Sequence, residues 1–309
     1  MSDRPVGVAD VDGVATAGAD GGATAGGGTL YVVATPIGNL GDMTVRAVEI
    51  LRAVPLIAAE DTRLTKRLLD RYRVETRMTS YHARSAAAKG ASLLAGLREG
   101  LDLALVTDAG TPLISDPGGD LVSAWAGEGG RVVPIPGASA VLAAVVASGV
   151  AGPRWAFEGF LPRSGRERRE RLAAIAADAR ATLLFEGPNR VAATLRDLAD
   201  ACGAGRPGAV CRELTKRHET IVRGGLGELA ASAADRRIPA RGEFVLVVGM
   251  QGASSVARPA DDAVTLDRAQ AEVERLVGSG VARGEAARQV AATTGISRRR
   301  LYVVPAPQR

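Results

Sequence analysis

One stretch concentrates the groups that could do chemistry: Ala104-Leu105-Val106-Thr107-Asp108-Ala109-Gly110-Thr111-Pro112-Leu113-Ile114-Ser115-Asp116-Pro117-Gly118. It begins as a short apolar run and ends in glycine, proline, aspartate and serine. That is the pattern of a buried strand opening into a shaped loop. A plain connector from strand to helix needs only about 2–6 residues. This loop is longer, and its two prolines and two glycines fix the backbone path, so it reads as a binding loop. The plainer reading is a rigid turn in which Asp108 and Asp116 cap backbone amides. Three other loops share its character, at 35–42, 60–63 and 136–140, and each follows an apolar run in the first half of the chain. None is a Walker A loop. None is a G-x-G-x-x-G loop with an acid about 20 residues on, so ATP and NAD lack their usual support. Backbone amides, carbonyls and small side chains suit an adenosine-like ligand held in an apolar slot.

The elements that must position these loops follow from periodicity. In the first half, strands are expected at Leu30–Ala34, Leu56–Ala59, Met78–His82, Leu103–Val106 and Arg131–Ile135. Helices are expected between them, near 45–54, 64–69, 84–98 and 119–127. Alternation at this spacing means a mostly parallel sheet, whose loops at the strand C-terminal ends line a ligand site. Gly149-Val150-Ala151-Gly152-Pro153 marks the end of a first domain, 29–150. In the second, 151–250, strands are expected at Thr182–Phe185, Ala209–Arg212, Glu219–Arg223 and Glu243–Val248. Helices near 166–178, 190–201 and 225–234 alternate with them. The shorter links predict a mixed sheet. Residues 251–260 read as a linker. The last segment, 261–309, reads as a small helical piece in which helix, Gly-containing turn and basic helix resemble a helix-turn-helix. From Arg283 onward it carries six arginines and one acid; a solvated basic face explains that equally well.

The totals agree with a two-domain α/β protein. The chain has 309 residues, is 46% hydrophobic and only 3% aromatic, and carries a net charge of +5. Residues 1–28 hold four aspartates against one arginine and are rich in glycine and alanine, which predicts a disordered tail. The remainder is therefore the more basic part, as expected for a chain that meets a polyanion or an anionic ligand. Cys202 and Cys211 are the only cysteines, and His82 and His218 the only histidines. That leaves no basis for a zinc site and predicts a reducing, cytoplasmic setting without disulfides. Residues 132–153 carry no charge, but prolines, glycines and serines interrupt them, so a buried strand–loop–helix is expected and no membrane association.

Several motifs in order carry a family resemblance. They are Leu30-Tyr31-Val32-Val33-Ala34-Thr35-Pro36-Ile37-Gly38-Asn39-Leu40-Gly41-Asp42, Ala59-Glu60-Asp61-Thr62-Arg63, the 107–118 loop, Phe157-Glu158-Gly159-Phe160-Leu161-Pro162, Arg212-Glu213-Leu214-Thr215-Lys216 and Gly242-Glu243-Phe244-Val245-Leu246-Val247. From about 29 to 250 the chain resembles the ribosomal RNA small subunit methyltransferase I family, the RNA-modifying branch of the tetrapyrrole methylase superfamily. The resemblance implies a two-domain tetrapyrrole-methylase-like fold and a homodimer. It also implies S-adenosylmethionine-dependent 2′-O-methylation of a cytidine ribose in the decoding region of 16S rRNA. It places the cofactor between the two domains, against Ile37, Gly110, Thr111, Pro112, Ile114, Ser139 and Ala140, and against Phe185, Cys211 and Phe244. Thr111 stands where the wider superfamily has aspartate, and Asp108, three residues earlier, is the nearest carboxylate to substitute for it.

Methyl transfer to a ribose hydroxyl is an in-line displacement, so alignment dominates. A base helps within about 2.6–3.2 Å of the hydroxyl. The candidates are Asp61, Asp108, Glu60 and Glu186. The Glu60–Arg63 run reads equally as a helix N-cap with an ion pair, and His82 as a structural histidine. Arg190, Arg212, Lys216 and Arg217 suit RNA phosphates, as do Arg298, Arg299 and Arg300 in the tail. Arg163, Arg166, Arg168, Arg169 and Arg171 suit them too, the last three reading also as an ordinary charged helix face. Few aromatics argue against a single-strand stacking platform. Two rival readings use the same residues: a tetrapyrrole C-methyltransferase, which the basic tail and Thr111 disfavour, and a non-catalytic rRNA-binding assembly factor, which has no need of cofactor loops.

Overall fold

A computed structural model describes residues 27–82, 86–251, 262–294 and 296–302. The expected linker and nearly all of the expected N-terminal tail lie outside these residues. The chain divides into two compact units, Met1–Ser139 and Ala140–Arg309.

The first unit is a parallel sheet of β1 (Thr29–Val33), β2 (Leu56–Ala59), β3 (Met78–Ser80), β4 (Leu103–Val106) and β5 (Arg131–Ile135), in the order β3-β2-β4-β1-β5. Both faces are covered, which is why its strands are continuously apolar and not alternating. On one face Tyr31, Val33, Ile57 and Val106 meet Ala47, Val48 and Leu51 of α1 (Val45–Ala53) and Leu69 of α2 (Thr62–Arg71). On the other, Leu30, Val32, Leu103 and Leu105 meet Leu93 and Leu97 of α3 (Ala86–Arg98) and Leu121 and Trp125 of α4 (Gly119–Gly127). β1 therefore feeds a helix on one face, and its neighbour β4 feeds a helix on the other. The two loops leaving these strands part company at the topological switch point, where open α/β sheets form a crevice for ligands.

The second unit starts one helix earlier than the expected boundary at Val150. The reason is packing: α5 (Ala140–Ser148) lies on β8 (Pro207–Arg212), β9 (Thr220–Gly225) and β10 (Phe244–Val248). The Arg223 guanidinium in β9 donates to the carbonyls of Ala147 and Ser148 at the helix end. With β6 (Trp155–Phe160) and β7 (Ala181–Glu186) these strands form a mixed sheet, order β6-β7-β10-β8-β9, in which only β6 and β7 run parallel. The face opposite α5 is covered by α6 (Gly165–Ala177), α7 (Val191–Cys202) and α8 (Leu226–Ala234) around Leu184, Leu195, Leu198, Val210 and Leu246. β6 is the one strand that periodicity does not predict. It is an edge strand, its burial does not alternate, and its register breaks between Phe157 and Phe160, where Gly159 takes φ +63°.

The C-terminal helices α9 (Asp262–Gly278), α10 (Arg283–Thr294) and α11 (Arg298–Leu301) share a small core of Val273, Ala286, Ala287, Val290 and Leu301. No helix among the described residues is long and apolar enough to cross a membrane. The uncharged run at 132–153 is instead β5, a loop and α5.

One buried arginine ties the second unit together. Arg206 donates to the carbonyls of Gly249 (2.9 Å), Ile175 (3.2 Å), Asp178 (2.9 Å) and Arg180 (3.1 Å). It thereby joins the end of α6 to the chain ends around β7 and β10. Removing it strands several buried acceptors at once. Arg206→Met is expected to cost about 3 kcal/mol or more in urea unfolding, and Arg206→Lys to recover little of it, because a point charge cannot serve four divergent carbonyls. A loss under about 1 kcal/mol would show that water replaces these bonds.

Candidate active site

At the switch point the first unit builds its site from backbone. Thr35, just after β1, and Gly110, in the loop after β4, form an isolated antiparallel bridge. Thr35 N–H donates to Gly110 O at 2.8 Å, and Gly110 N–H donates to Thr35 O at 3.0 Å. The Thr35 hydroxyl adds a bond to Thr107 O at 3.1 Å. Gly110 has φ +85°, and a Cβ there would sit 3.3 Å from Ile37 Cγ2. Glycine is thus needed both for conformation and for closeness. The Thr111 hydroxyl reaches Ala138 O at 3.4 Å, drawing in the loop before α5. Ile37 and Pro112 are buried, and Ile114 is 40% exposed. Leu113 and Ser115 take φ +75° and +71°, a conformation that side-chain-bearing residues adopt rarely and mostly at functional sites. Ile37, Gly110, Thr111, Pro112, Ile114 and Ser139 of the sequence-derived set therefore lie on three mutually tethered loops of one unit. Ala140 is the first residue of α5, in the other unit.

Carboxylates cluster beside this tether. Glu60 accepts from the Thr107 hydroxyl at 2.7 Å and from Asp108 N–H at 3.4 Å. Asp108 accepts from Asp61 N–H at 2.9 Å. Asp61 caps α2 by accepting from Arg63 N–H at 2.8 Å, and it pairs with the Arg63 guanidinium. Their acidities are split by environment. The Arg63 hydrogen bonds hold Asp61 down, to about 2. Burial raises Asp108 above the usual carboxylate value, and the charges of Glu60 and Asp61 push the same way, against the Asp61 amide. Asp116, absent from the sequence-derived candidates, is pushed furthest, up to about 6. Burial is the main cause, and Glu60 and Asp108 add to it, while a hydrogen bond from Thr107 opposes it. Thr107 has one hydroxyl proton, which serves Glu60 or Asp116 but not both. The sequence shows Asp116 in the right loop and cannot show that it is enclosed.

In the second unit the site candidates separate by face. Phe185 and Cys211 both stand opposite Val245 in register and share its face of the sheet. Phe244 points the other way, into the core under α6–α8, and offers only backbone to anything on the Phe185 face. Burial pushes the Cys211 thiol up to about 12, which makes it an inert hydrophobe. Glu186 is 3% exposed and accepts from Gly187 N–H (2.8 Å) and the Thr194 hydroxyl (2.6 Å), and it pairs with Arg190 (3.1 Å). It is a structural anchor. Arg212 is buried and donates to the carbonyls of Arg241 (2.8 Å) and His218 (3.1 Å). Lys216 is held between Glu213 and Glu243. Both serve the 212–218 loop, in which Glu213 and Thr215 take φ +52° and +66°. Arg217, Arg298, Arg299 and Arg300 are exposed. Of the helix-face arginines, Arg166 pairs with Glu170, Arg168 with Asp197 and Arg171 with Glu158.

Residues 29–230 match the family model described as Tetrapyrrole (Corrin/Porphyrin) Methylases. The chain is 46% identical over 275 residues to the ribosomal RNA small subunit methyltransferase I of Synechocystis sp., covering 89% of this chain and 96% of that one. It is 40% identical to the protein of the same name from Bacillus subtilis, covering 89% and 93%. Among solved structures it is similar in fold to a uroporphyrin-III C-methyltransferase from Thermus thermophilus (18% identity, TM-score 0.53, 72% of this chain and 94% of that one). It is likewise similar to a Thermus thermophilus uroporphyrin-III C-methyltransferase complexed with S-adenyl homocysteine (19%, 0.53, 72% and 97%). At this identity and coverage the chain belongs to the ribosomal RNA small subunit methyltransferase I family, within the tetrapyrrole methylases.

Proposed function

We propose that the chain methylates the 2′-hydroxyl of a cytidine in the decoding region of 16S rRNA, using S-adenosylmethionine, in the cytoplasm and as a homodimer. The observation that carries the cofactor assignment is the Thr35–Gly110 bridge with its cradle over Ile37. A Cβ at Gly110 would come within 3.3 Å of Ile37 Cγ2, so glycine lets the two loops close to this spacing, and an adenosine-like ligand needs such close approach to main chain. A structural neighbour held with S-adenyl homocysteine supports the same choice. Ile37, Gly110, Thr111, Pro112, Ile114 and Ser139 would hold the cofactor here. When bound it supplies an electrophilic sulfonium methyl.

The chain's own part is to align the ribose oxygen and take its proton. Among the carboxylates of the first unit, Asp61 is a poor base because Arg63 holds it near 2. Asp108 and Asp116, both raised, are better matched to the task. A carboxylate near 6 is ionised at neutral pH yet basic enough to accept a proton. Glu60 and Thr107 position the pair. Arg217, Arg298, Arg299 and Arg300 are exposed and would meet RNA phosphates, with Arg190, Arg212 and Lys216 acting by positioning loops of the second unit.

Labelled S-adenosylmethionine, offered small ribosomal subunits and a porphyrinogen in parallel, tests the assignment. Label on a cytidine ribose is expected, and label on the macrocycle instead would overturn it. Gly110→Val is expected to reduce cofactor affinity by more than a hundredfold in calorimetry while the circular dichroism spectrum is kept; unchanged affinity would remove the bridge from the cofactor site.

Asp116 gives a pH signature with a definite sign. Its carboxyl is raised from 3.8 to about 6 in the folded chain, so ionising it opposes folding. Its contribution to stability is complete below about 3.8 and is lost as pH rises through about 6. Asp116→Asn is therefore expected to flatten the fall in melting temperature between pH 4 and pH 7. It is also expected to lower the methylation rate at least tenfold at neutral pH. A variant with wild-type rate and wild-type pH profile would assign the proton to another group.

A further inference from the structure

The second unit contains a cleft of about 620 Å³ that the cofactor loops do not use. Its mouth is formed by Phe160, Arg163 and Asn189, and its floor by Arg168, Glu186 and Arg190. The floor is a closed network. Arg168 donates to Asp197, to the Thr194 hydroxyl and to Pro162 O, while Arg190 pairs with Glu186 and donates to Leu161 O at 2.7 Å. Two arginines from α6 and the turn before α7 thus clamp the segment after β6 in place. Their charges are matched by Glu186 and Asp197, so the floor is rigid and close to neutral.

The mouth differs in kind. Phe160 is 52% exposed in a chain where aromatics are scarce. Its inner side is braced by Phe185 (centroids 5.6 Å apart), which in turn meets Phe157 edge-on at 4.8 Å. The bulge at Gly159 turns this ring outward. Three of the four phenylalanines are spent here. Arg163 is exposed and has no ion pair among the described residues, and Asn189 is exposed beside it. A braced aromatic face, an uncommitted guanidinium and an amide at one rim match the three parts of a nucleotide: base plane, phosphate and base edge.

We propose that this cleft docks one unpaired nucleotide of the RNA substrate, with its base stacked on Phe160 and its phosphate on Arg163. The inference rests on the reading of the chain as an RNA methyltransferase and adds a contact point built from residues of the second unit alone. It also answers the scarcity of aromatics: one supported ring serves one splayed base, where a run of single strand would need several.

The test uses the full chain, Phe160→Ala and Arg163→Ala, both exposed positions whose folding is checked by thermal melts. Binding to small ribosomal subunits is measured across a salt series, alongside methyl transfer and S-adenosylmethionine affinity. Phe160→Ala is expected to weaken subunit binding about tenfold, with Phe160→Trp restoring it. Arg163→Ala is expected to lower the salt slope by about one contact and to raise KM for subunits while kcat and cofactor affinity stay as they were. Wild-type methylation with both variants matching wild type in affinity and slope overturns the cleft assignment alone. A wild-type chain that labels no ribose overturns the functional reading, and this inference with it.

Discussion

The rest of the first unit depends on two backbone hydrogen bonds between Thr35 and Gly110. Parallel strands β1 and β4 are neighbours, but their loops leave for helices on opposite faces of the sheet. Left alone, those loops would splay and open the strand ends to water. The bridge extends the pairing past the end of the sheet and holds the loops at one spacing. It demands a left-handed residue at 110 and nothing larger than hydrogen facing Ile37. Everything downstream is then over-determined. Pro112 and Pro117 fix φ on either side of Leu113 and Ser115, and Thr111 is tied to Ala138. That is how two unfavourable side-chain conformations persist in one short loop.

The same tether creates the acidic cluster. Holding the 107–118 loop beside the end of β2 brings Asp108 and Asp116 next to Glu60 and Asp61, four carboxylates that would separate in solution. The chain resolves the repulsion unequally. Asp61 is given a cation and a helix start, and stays ionised. Asp116 is given enclosure and neighbours of its own sign, and holds its proton longer. Acid–base roles arise where environments push like groups apart in this way. Arg63 is thus more than a surface ion pair: by committing Asp61 it leaves Asp108 and Asp116 as the groups with basicity to spare.

Most of the fold was legible from periodicity, because a sheet covered on both faces writes unbroken apolar runs and Gly/Pro loops between them. β6 was not, since an edge strand with a bulge at Gly159 and a glutamate inside has no period to detect. Site legibility followed a similar line. Gly110, Thr111 and Ile37 stand out in the sequence because loop chemistry is local. Asp116 does not, because its raised basicity comes from enclosure and from Glu60, far away in the chain, together with Asp108 in its own loop. Arg212, Arg190 and Glu186 show a second role that sequence does not reveal. Charged residues at strand ends and helix starts suggest ligands, yet here Arg212 and Glu186 are buried and Arg190, partly exposed, pairs with Glu186 and donates to Leu161 O, so each braces the chain internally. The unit boundary slipped by one helix for a related reason: Gly149-Val150 looks like a break, but α5 before it already packs on the second sheet.

Net charge must therefore be read through burial before it is read as affinity. Only three of the chain's cationic residues are lysine. The preference fits what the second unit does with them: Arg168, Arg190, Arg206, Arg212 and Arg223 each donate to backbone carbonyls. A planar fork can satisfy several carbonyls at once and stays charged when buried, which an ammonium does poorly. Part of the positive charge is therefore internal scaffolding. The field that a polyanion would meet comes from the cations that remain exposed, which in the second unit include Arg163, Arg169, Arg196, Arg217, Arg236 and Arg237 and the run Arg298-Arg299-Arg300 on α11. Arginine forks on such a surface suit contacts to the phosphates and shape of a folded RNA.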